Sequence, residues 1–306
     1  MGLRIIFLGT PEFAVPTLER CVAAGHEVVA VFTQPDRPKG RGQKDASPPV
    51  KVAALRLGLP VHQPERARRP EIIEQLRALA PELMVVVGYG QILPQAILDI
   101  PPRGIINVHA SLLPKYRGAA PIQWAIARGE THTGVTTMRI DAGMDTGDML
   151  LKWETPIGPE ETATELGSRL AVAGADLLVR TLAELDTIVL EKQDPALATY
   201  APILKREDGK IDWSMSATQI LNRARGFVPW PGCYGFLRGQ RLHVWKGARA
   251  SGRLAPGDLR VIDRHLFAGC GDGAIELIEV QLEGKKRMPA ATFLNGFPLQ
   301  GNEVLV

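Results

Sequence analysis

Apolar residues in the first half of the chain fall in short unbroken runs, each closed by turn residues. Arg4-Ile5-Ile6-Phe7-Leu8 ends at Gly9-Thr10-Pro11, and Val28-Val29-Ala30-Val31-Phe32 follows after Gly25-His26-Glu27. Leu83-Met84-Val85-Val86-Val87 ends at Gly88-Tyr89-Gly90. Runs of this kind read as strands buried on both faces. Between the first two, residues 12–24 carry a helical pattern, so the chain opens β-α-β, which implies a parallel sheet with right-handed crossovers. Further helices are expected over 50–57, 71–79, 94–98 and 122–128, and further strands over 104–108 and 134–140. In the strand from Gly104, Ile106, Val108 and Ala110 continue one apolar alternation. Asn107 and His109 therefore project together on the other side, near the strand's end.

From Ala163 to Leu185 the period changes to that of a long amphipathic helix, with Leu166, Leu170, Leu177, Leu178, Leu182 and Leu185 on one stripe. Beyond it the pattern loosens, and Gln193 to Pro202 has the character of an interdomain linker. After Glu207 a helix over 217–225 precedes five short strand candidates, at 235–237, 241–245, 259–263, 266–268 and 275–281. Short strands with regular turns predict a small β-barrel or sandwich. The expected organisation is an α/β, Rossmann-like domain over 1–185, a linker over 186–206 and an OB-like β-barrel over 207–306. Trp213, Trp230 and Trp245 in the last part are either base-stacking platforms or core, with core expected for at least two.

Composition narrows the class. The 306 residues are 45% hydrophobic and 23% charged, as in a soluble globular enzyme. No apolar run approaches the ~18 residues of a membrane span, and no signal-peptide pattern follows Met1, so a cytoplasmic protein without membrane contact is expected. Cys21, Cys233 and Cys270 lie far apart without a C-x-x-C, which argues against a zinc site or a disulfide framework. No exposed apolar stripe stands out, so a monomer is expected. The net charge of +3 is uneven: residues 205–306 hold 15 Lys and Arg against 10 Asp and Glu, the remainder 21 against 23. A basic C-terminal part hints at a polyanionic partner.

The segment 34–49 is rich in Pro and Gly, is not expected to form a regular element, and carries Arg37, Lys39, Arg41 and Lys44, which suit phosphate contacts. Neither G-x-G-x-x-G nor a phosphate-binding G-x-x-x-x-G-K-[S/T] occurs, so a nucleotide cofactor is not supported. An amide and an imidazole side by side at the carboxyl end of a strand suit acyl or formyl transfer, although the bare pair reads equally well as an ordinary strand end. The loop 141–148 holds Asp141, Asp145, Asp148 and two glycines, but not the full calcium-loop pattern. Asp145, central among turn-formers, is expected to reach the Asn107 and His109 face.

Asn107-x-His109-x-Ser111-Leu112-Leu113-Pro114-x-Tyr116-Arg117-Gly118, joined with Asp141-x-Gly143-x-Asp145-Thr146-Gly147-Asp148, resembles the tetrahydrofolate-dependent formyltransferases. The resemblance implies that Asn107, His109 and Asp145 surround the formyl group of 10-formyltetrahydrofolate, without a metal. It implies folate contacts from Ser111, Leu112, Leu113 and Pro114, and from Gly88, Tyr89, Gln91, Ile92 and Leu93. Phe32 to Gly42, Arg117 to Gln123, Ile211 to Ser214, Pro229-Trp230-Pro231 and Gly284-Lys285-Lys286 narrow it to the branch whose acceptor is initiator methionyl-tRNA. There the basic loop (Arg37, Lys39, Arg41, Lys44) and the C-terminal barrel (Lys285, Lys286) are expected to touch tRNA. Either His109 or Asp145, through water, takes the amine's proton. A formyltransferase for a small amine, a folate hydrolase, and an RNA-binding module with an inactive first domain share parts of this pattern.

Overall fold

The computed structural model describes residues 2–39 and 44–306, in two compact units. The first comprises Met1–Pro121, Thr133–Thr155 and Gly167–Pro202; the second comprises Ile122–His132, Pro156–Leu166 and Ile203–Val306. Among the described residues no helix is long and apolar enough to cross a membrane.

In chain order the first unit carries β1 (Arg4–Gly9), α1 (Val15–Ala23), β2 (Glu27–Phe32), the small strands β3 (Arg37–Lys39) and β4 (Lys44–Ala46), and α2 (Pro49–Arg56). Then come β5 (Val61–His62), α3 (Pro70–Ala78), β6 (Leu83–Val87), α4 (Gln95–Leu98) and β7 (Ile105–His109). After α5 (Pro121–Ala127), which apart from Pro121 belongs to the second unit, follow β8 (His132–Arg139), β9 (Met149–Pro156) and α6 (Ala163–Ala183). The sheet runs β5-β2-β1-β6-β7-β8-β9. It is parallel from β5 to β7, and β8 runs antiparallel to β7.

The unbroken apolar runs are accounted for by burial on both faces. Ile6, Leu8, Ala30, Phe32, Met84 and Val86 pack on one side with Leu76 of α3 and Ile97 of α4. The intervening Ile5, Phe7, Val31 and Val85 are also fully buried. On β7, the side opposite Asn107 and His109 lies close under α6: a Cβ on Gly174 would sit 2.9 Å from Val108 Cγ1 and 3.3 Å from Val135 Cγ1. A side chain there would hold the helix off the strand, so glycine stands within the continuous helix despite its cost in propensity.

One expectation is corrected. The Pro/Gly-rich segment does form regular structure, because β3 and β4 pair antiparallel, Arg37 with Ala46 and Lys39 with Lys44. Pro38 is compatible because the ladder is two strands wide, leaving an outer edge that needs no donor.

In the second unit α7 (Ala217–Gly226) precedes β10 (Cys233–Leu237), β11 (Gln240–Ala250), β12 (Leu259–Ile262), β13 (His265–Cys270), β14 (Gly273–Leu282) and β15 (Met288–Pro289). The sheet order is β10-β11-β14-β13-β12, with β15 beside β14, and all pairs are antiparallel. It is barrel-like but does not close: no pairing among the described residues joins β10 to β12. Ser216 caps α7, accepting from the backbone N–H of Gln219 at 3.2 Å. Of the three tryptophans, Trp213 is buried, Trp245 is half-buried and Trp230 is exposed.

Candidate active site

Three parallel strands end on one edge of the first sheet, and the loops leaving them build the site. β7 delivers Asn107 and His109, both buried. The loop between β8 and β9 brings Asp145 to them from 38 residues away: Asn107 Nδ2 lies 3.4 Å from Asp145 Oδ1. His109 Nδ1 lies 3.7 Å from Asp145 Oδ2. The expected trio therefore meets. The other imidazole nitrogen is committed, because His109 Nε2 donates to the carbonyl of Tyr116 at 2.9 Å. A carbonyl only accepts, so the proton of the neutral ring sits on Nε2 and Nδ1 presents a lone pair beside the carboxylate.

Asp145 is held from several directions. It occupies the left-handed region at φ 54°, where a side chain is disfavoured. Its Oδ2 accepts the backbone N–H of Gly118 at 2.8 Å. Gly118 itself is at φ 114°, and a Cβ there would come within 2.7 Å of the Ala201 carbonyl, so only glycine lets this donor reach. Within the same loop Asp141 Oδ1 accepts from Gly143 N at 3.0 Å and from Thr146 Oγ1 at 2.7 Å. Arg117, part of the motif at the end of β7, and Gln193, which no motif argument singled out, lie directly behind. Gln193 Nε2 donates to the carbonyls of Asp145 and Gly147, each at 2.8 Å. Its Oε1 accepts from Arg117 Nε and Nη2 at 2.9 and 2.7 Å. No local signal marks Gln193, whose partners are 46 to 76 positions away.

The loop after β7 is pinned by its own polar groups. Ser111 Oγ donates to Lys115 O at 2.6 Å, and Thr136 Oγ1 donates to Ser111 O at 2.7 Å while accepting from Leu113 N at 3.1 Å. Leu112 and Pro114 are half-buried and Leu113 is buried. The loop after β6 turns at Gly88 and Gly90, with φ 57° and 81°. The carbonyl of Tyr89 accepts from Thr10 Oγ1 and Gln34 Nε2, both at 3.1 Å, which joins the ends of β1, β2 and β6. The side chains of Tyr89 and Leu93 belong to the core, and burial pushes the Tyr89 hydroxyl up to about 12. Gln91 braces the chain over 64–67, accepting from Ala67 N at 2.7 Å and donating to Pro64 O at 3.2 Å. Ile92 is 87% exposed, an apolar side chain left uncovered beside the strand ends.

Residues 3–182 match the family model described as formyl transferase, and residues 203–298 match that of the formyl transferase C-terminal domain. A methionyl-tRNA formyltransferase of Solibacter usitatus is 64% identical over 99% of this chain and 98% of its own length. One of Geobacter sulfurreducens is 55% identical over 98% of this chain and 95% of its own. The chain belongs to the methionyl-tRNA formyltransferase family. Solved structures share the family's fold. The N-formyltransferase from Helicobacter canadensis, in complex with folinic acid and dTDP-3-aminofucose, superposes with a TM-score of 0.67 at 20% identity, covering 90% of this chain and 98% of that one. HypX from Aquifex aeolicus, in complex with tetrahydrofolic acid, has a TM-score of 0.64 at 17% identity, covering 99% of this chain and 48% of that one.

For a formyltransferase the remaining expected residues are basic. Arg37, on β3, pairs with Glu65 at 3.3 Å on the surface. Lys39 and Lys44 lie on the paired strands β3 and β4, whereas Arg41 lies outside the described residues. Beside them Lys51 contacts Asp36 at 2.6 Å, and that contact, with the amide of Gln63, lowers the Asp36 carboxyl below its ordinary range. In the second unit Lys285 and Lys286 are exposed in the turn after β14. They adjoin a face of stacked rings: His243 lies parallel to Trp245 at 5.3 Å, and Tyr234 lies 5.5 Å from His243. Arg287 sits 5.5 Å over Trp245 and Arg241 sits 4.9 Å over Tyr234. The turn is tied to this face because Gln281 accepts from Trp245 Nε1 at 3.0 Å and donates to Lys285 O at 2.9 Å.

Proposed function

We propose that this protein moves the formyl group of 10-formyltetrahydrofolate to the α-amino group of methionine on initiator methionyl-tRNA, with Asn107, His109 and Asp145 as the reacting groups. The observation that carries the chemical part is the meeting of an amide, an imidazole lone pair and a carboxylate at one strand end. The neutral amine attacks the formyl carbon, forming the new C–N bond as the carbonyl π pair moves onto oxygen. Asn107 Nδ2 has a second hydrogen, directed at that oxyanion; one such donor is worth about 10²–10³ in rate. His109 Nδ1 takes the amine's proton, since Nε2 is already committed to Tyr116. Asp145 stabilises the imidazolium so formed. Collapse of the intermediate expels the folate N10, which recovers the proton from Nδ1, and the ring returns to its starting tautomer.

We assign the folate to the paired loops after β6 and β7. These strands are adjacent and parallel, so Gly88–Leu93 and Ser111–Pro114 leave the same edge. Gly88 and Gly90 allow the backbone to lie flat against a ring, and the uncovered Ile92 supplies apolar surface. The core position of Tyr89 and the brace made by Gln91 give those side chains a supporting part. Phosphates of the tRNA fall to Arg37, Lys39, Arg41 and Lys44 in the first unit and to Lys285 and Lys286 in the second. We take the protein to act as a monomer in the cytoplasm, where charged initiator tRNA is consumed.

The test compares transfer to charged initiator methionyl-tRNA, charged elongator methionyl-tRNA and free methionine. Strong preference for the initiator is expected. Equal rates on all three would hand the acceptor to a small amine, and formate release unaffected by any of them would make the protein a hydrolase.

A further inference from the structure

We propose that Gln193 is a positioning residue for Asp145, acting from the segment that joins the two family-matched regions. Gln193 lies between residues 3–182 and 203–298, outside both matches. It is nevertheless buried, as is its partner Arg117. Both ends of its amide are fully used. The two hydrogens of Nε2 go to the carbonyls of Asp145 and Gly147, and Oε1 receives the fork of Arg117 Nε and Nη2. One side chain thus ties the 141–148 loop to the loop that follows β7.

The consequence is a closed ring of contacts. From the Asp145 carbonyl it runs through Gln193 to Arg117, along the peptide to Gly118 N, and back to Asp145 Oδ2. The same loop supplies Tyr116, whose carbonyl sets the His109 tautomer. Asp145 sits at a positive φ, a backbone state that persists only where surroundings over-determine it. The ring supplies that constraint, and it aims the carboxylate as well as the backbone. The chemistry demands an amide. Glutamate would still hold Arg117, but it would turn lone pairs toward two carbonyl oxygens and place a second negative charge behind Asp145. An apolar residue would leave those carbonyls and the guanidinium unpaired in a buried place. Neighbouring backbone fixes the other wall independently: Thr199 Oγ1 accepts from Tyr116 N at 2.9 Å, and Ala201 N donates to Arg117 O at 2.7 Å. Removing the Gln193 side chain therefore loosens Asp145 while leaving this strap in place.

The proposal rests on the formyl-transfer reading, and its test separates the two. Gln193→Met and Gln193→Glu are assayed by single-turnover formyl transfer, with KM for both substrates, in the unaltered protein and in an Asp145→Ala background. Thermal melts accompany each. Misplacement of a reacting group by an ångström costs about 10²-fold, so a 10- to 100-fold fall in rate is expected with KM changed by less than about threefold. In the Asp145→Ala background the same substitutions should change the residual rate by less than about threefold, because the group they position is gone. An equal loss in both backgrounds, a change confined to KM, an unchanged rate, or loss of folding in both variants would overturn the assignment. Absence of transfer by the unaltered protein would overturn the functional reading, and this assignment with it.

Discussion

The strand-end site of the first unit and the ring-and-cation face of the second treat their polar groups in opposite ways. Around Asp145 the chain buries Asn107, His109, Arg117 and Gln193 and gives them partners within a few ångströms. On the second unit's sheet, Arg241 and Arg287 lie over rings, and Lys285 and Lys286 stand in solvent. A buried network is an all-or-none device, since losing one partner strands another in a low-dielectric place. A solvated cationic face is a sum of small, salt-screened contributions. The first arrangement suits bond-making, which needs a fixed geometry; the second suits holding a long polyanion.

The contrast fails if single substitutions behave alike in the two regions. The largest effect is expected at His109 and Asp145, where replacement by Ala should lower kcat by about 10²–10⁴ without unfolding the protein. Asn107→Ala should follow, with about 10²–10³ in kcat and little change in KM, as measured by steady-state formyl transfer.

Glu303 then asks whether burial, rather than the unit, decides. It lies in the second unit but is buried. Burial pushes its carboxyl up, yet the backbone N–H of Gln300, the Arg238 guanidinium and the Gly301 N–H outweigh this and hold it at about 2. A depressed carboxylate stabilises the fold above its unfolded value of 4.5, and that contribution is lost as pH falls toward 2. Glu303→Gln should therefore lower the urea midpoint at neutral pH by the equivalent of about 1–3 kcal/mol, and the gap should close as pH drops through that window. A gap that does not vary with pH would remove the carboxylate from the explanation. The smallest effects belong to Lys285→Ala and Lys286→Ala. Each should weaken tRNA binding by about 0.2–1 kcal/mol and reduce the salt slope by about one, read by titration at several ionic strengths. A lysine costing as much as His109 would erase the distinction.

The same contrast governs how much could be read from sequence. Strands buried on both faces declare themselves as unbroken runs, so β1, β2, β6 and β7 agree with expectation to within a residue or so. β9 does not, since only Met149, Leu150 and Thr155 of its eight residues are buried and no period survives. β5, two residues long, leaves no pattern. In the site, alternation along β7 placed Asn107 and His109 on one face, and loop chemistry singled out Asp145. Gln193 stayed hidden because its surroundings, Asp194-Pro195-Ala196, have a linker's composition. What makes it a structural brace is an amide with every bond satisfied by residues far along the chain. Periodicity reports burial by a neighbouring element; it carries nothing about a single long-range hydrogen bond.

The most direct test is single-turnover formyl transfer from 10-formyltetrahydrofolate to charged initiator methionyl-tRNA, comparing the unaltered protein with His109→Ala. The account predicts fast transfer by the first. It predicts a loss of at least about 10²-fold in the second. Near-normal transfer by His109→Ala would contradict it.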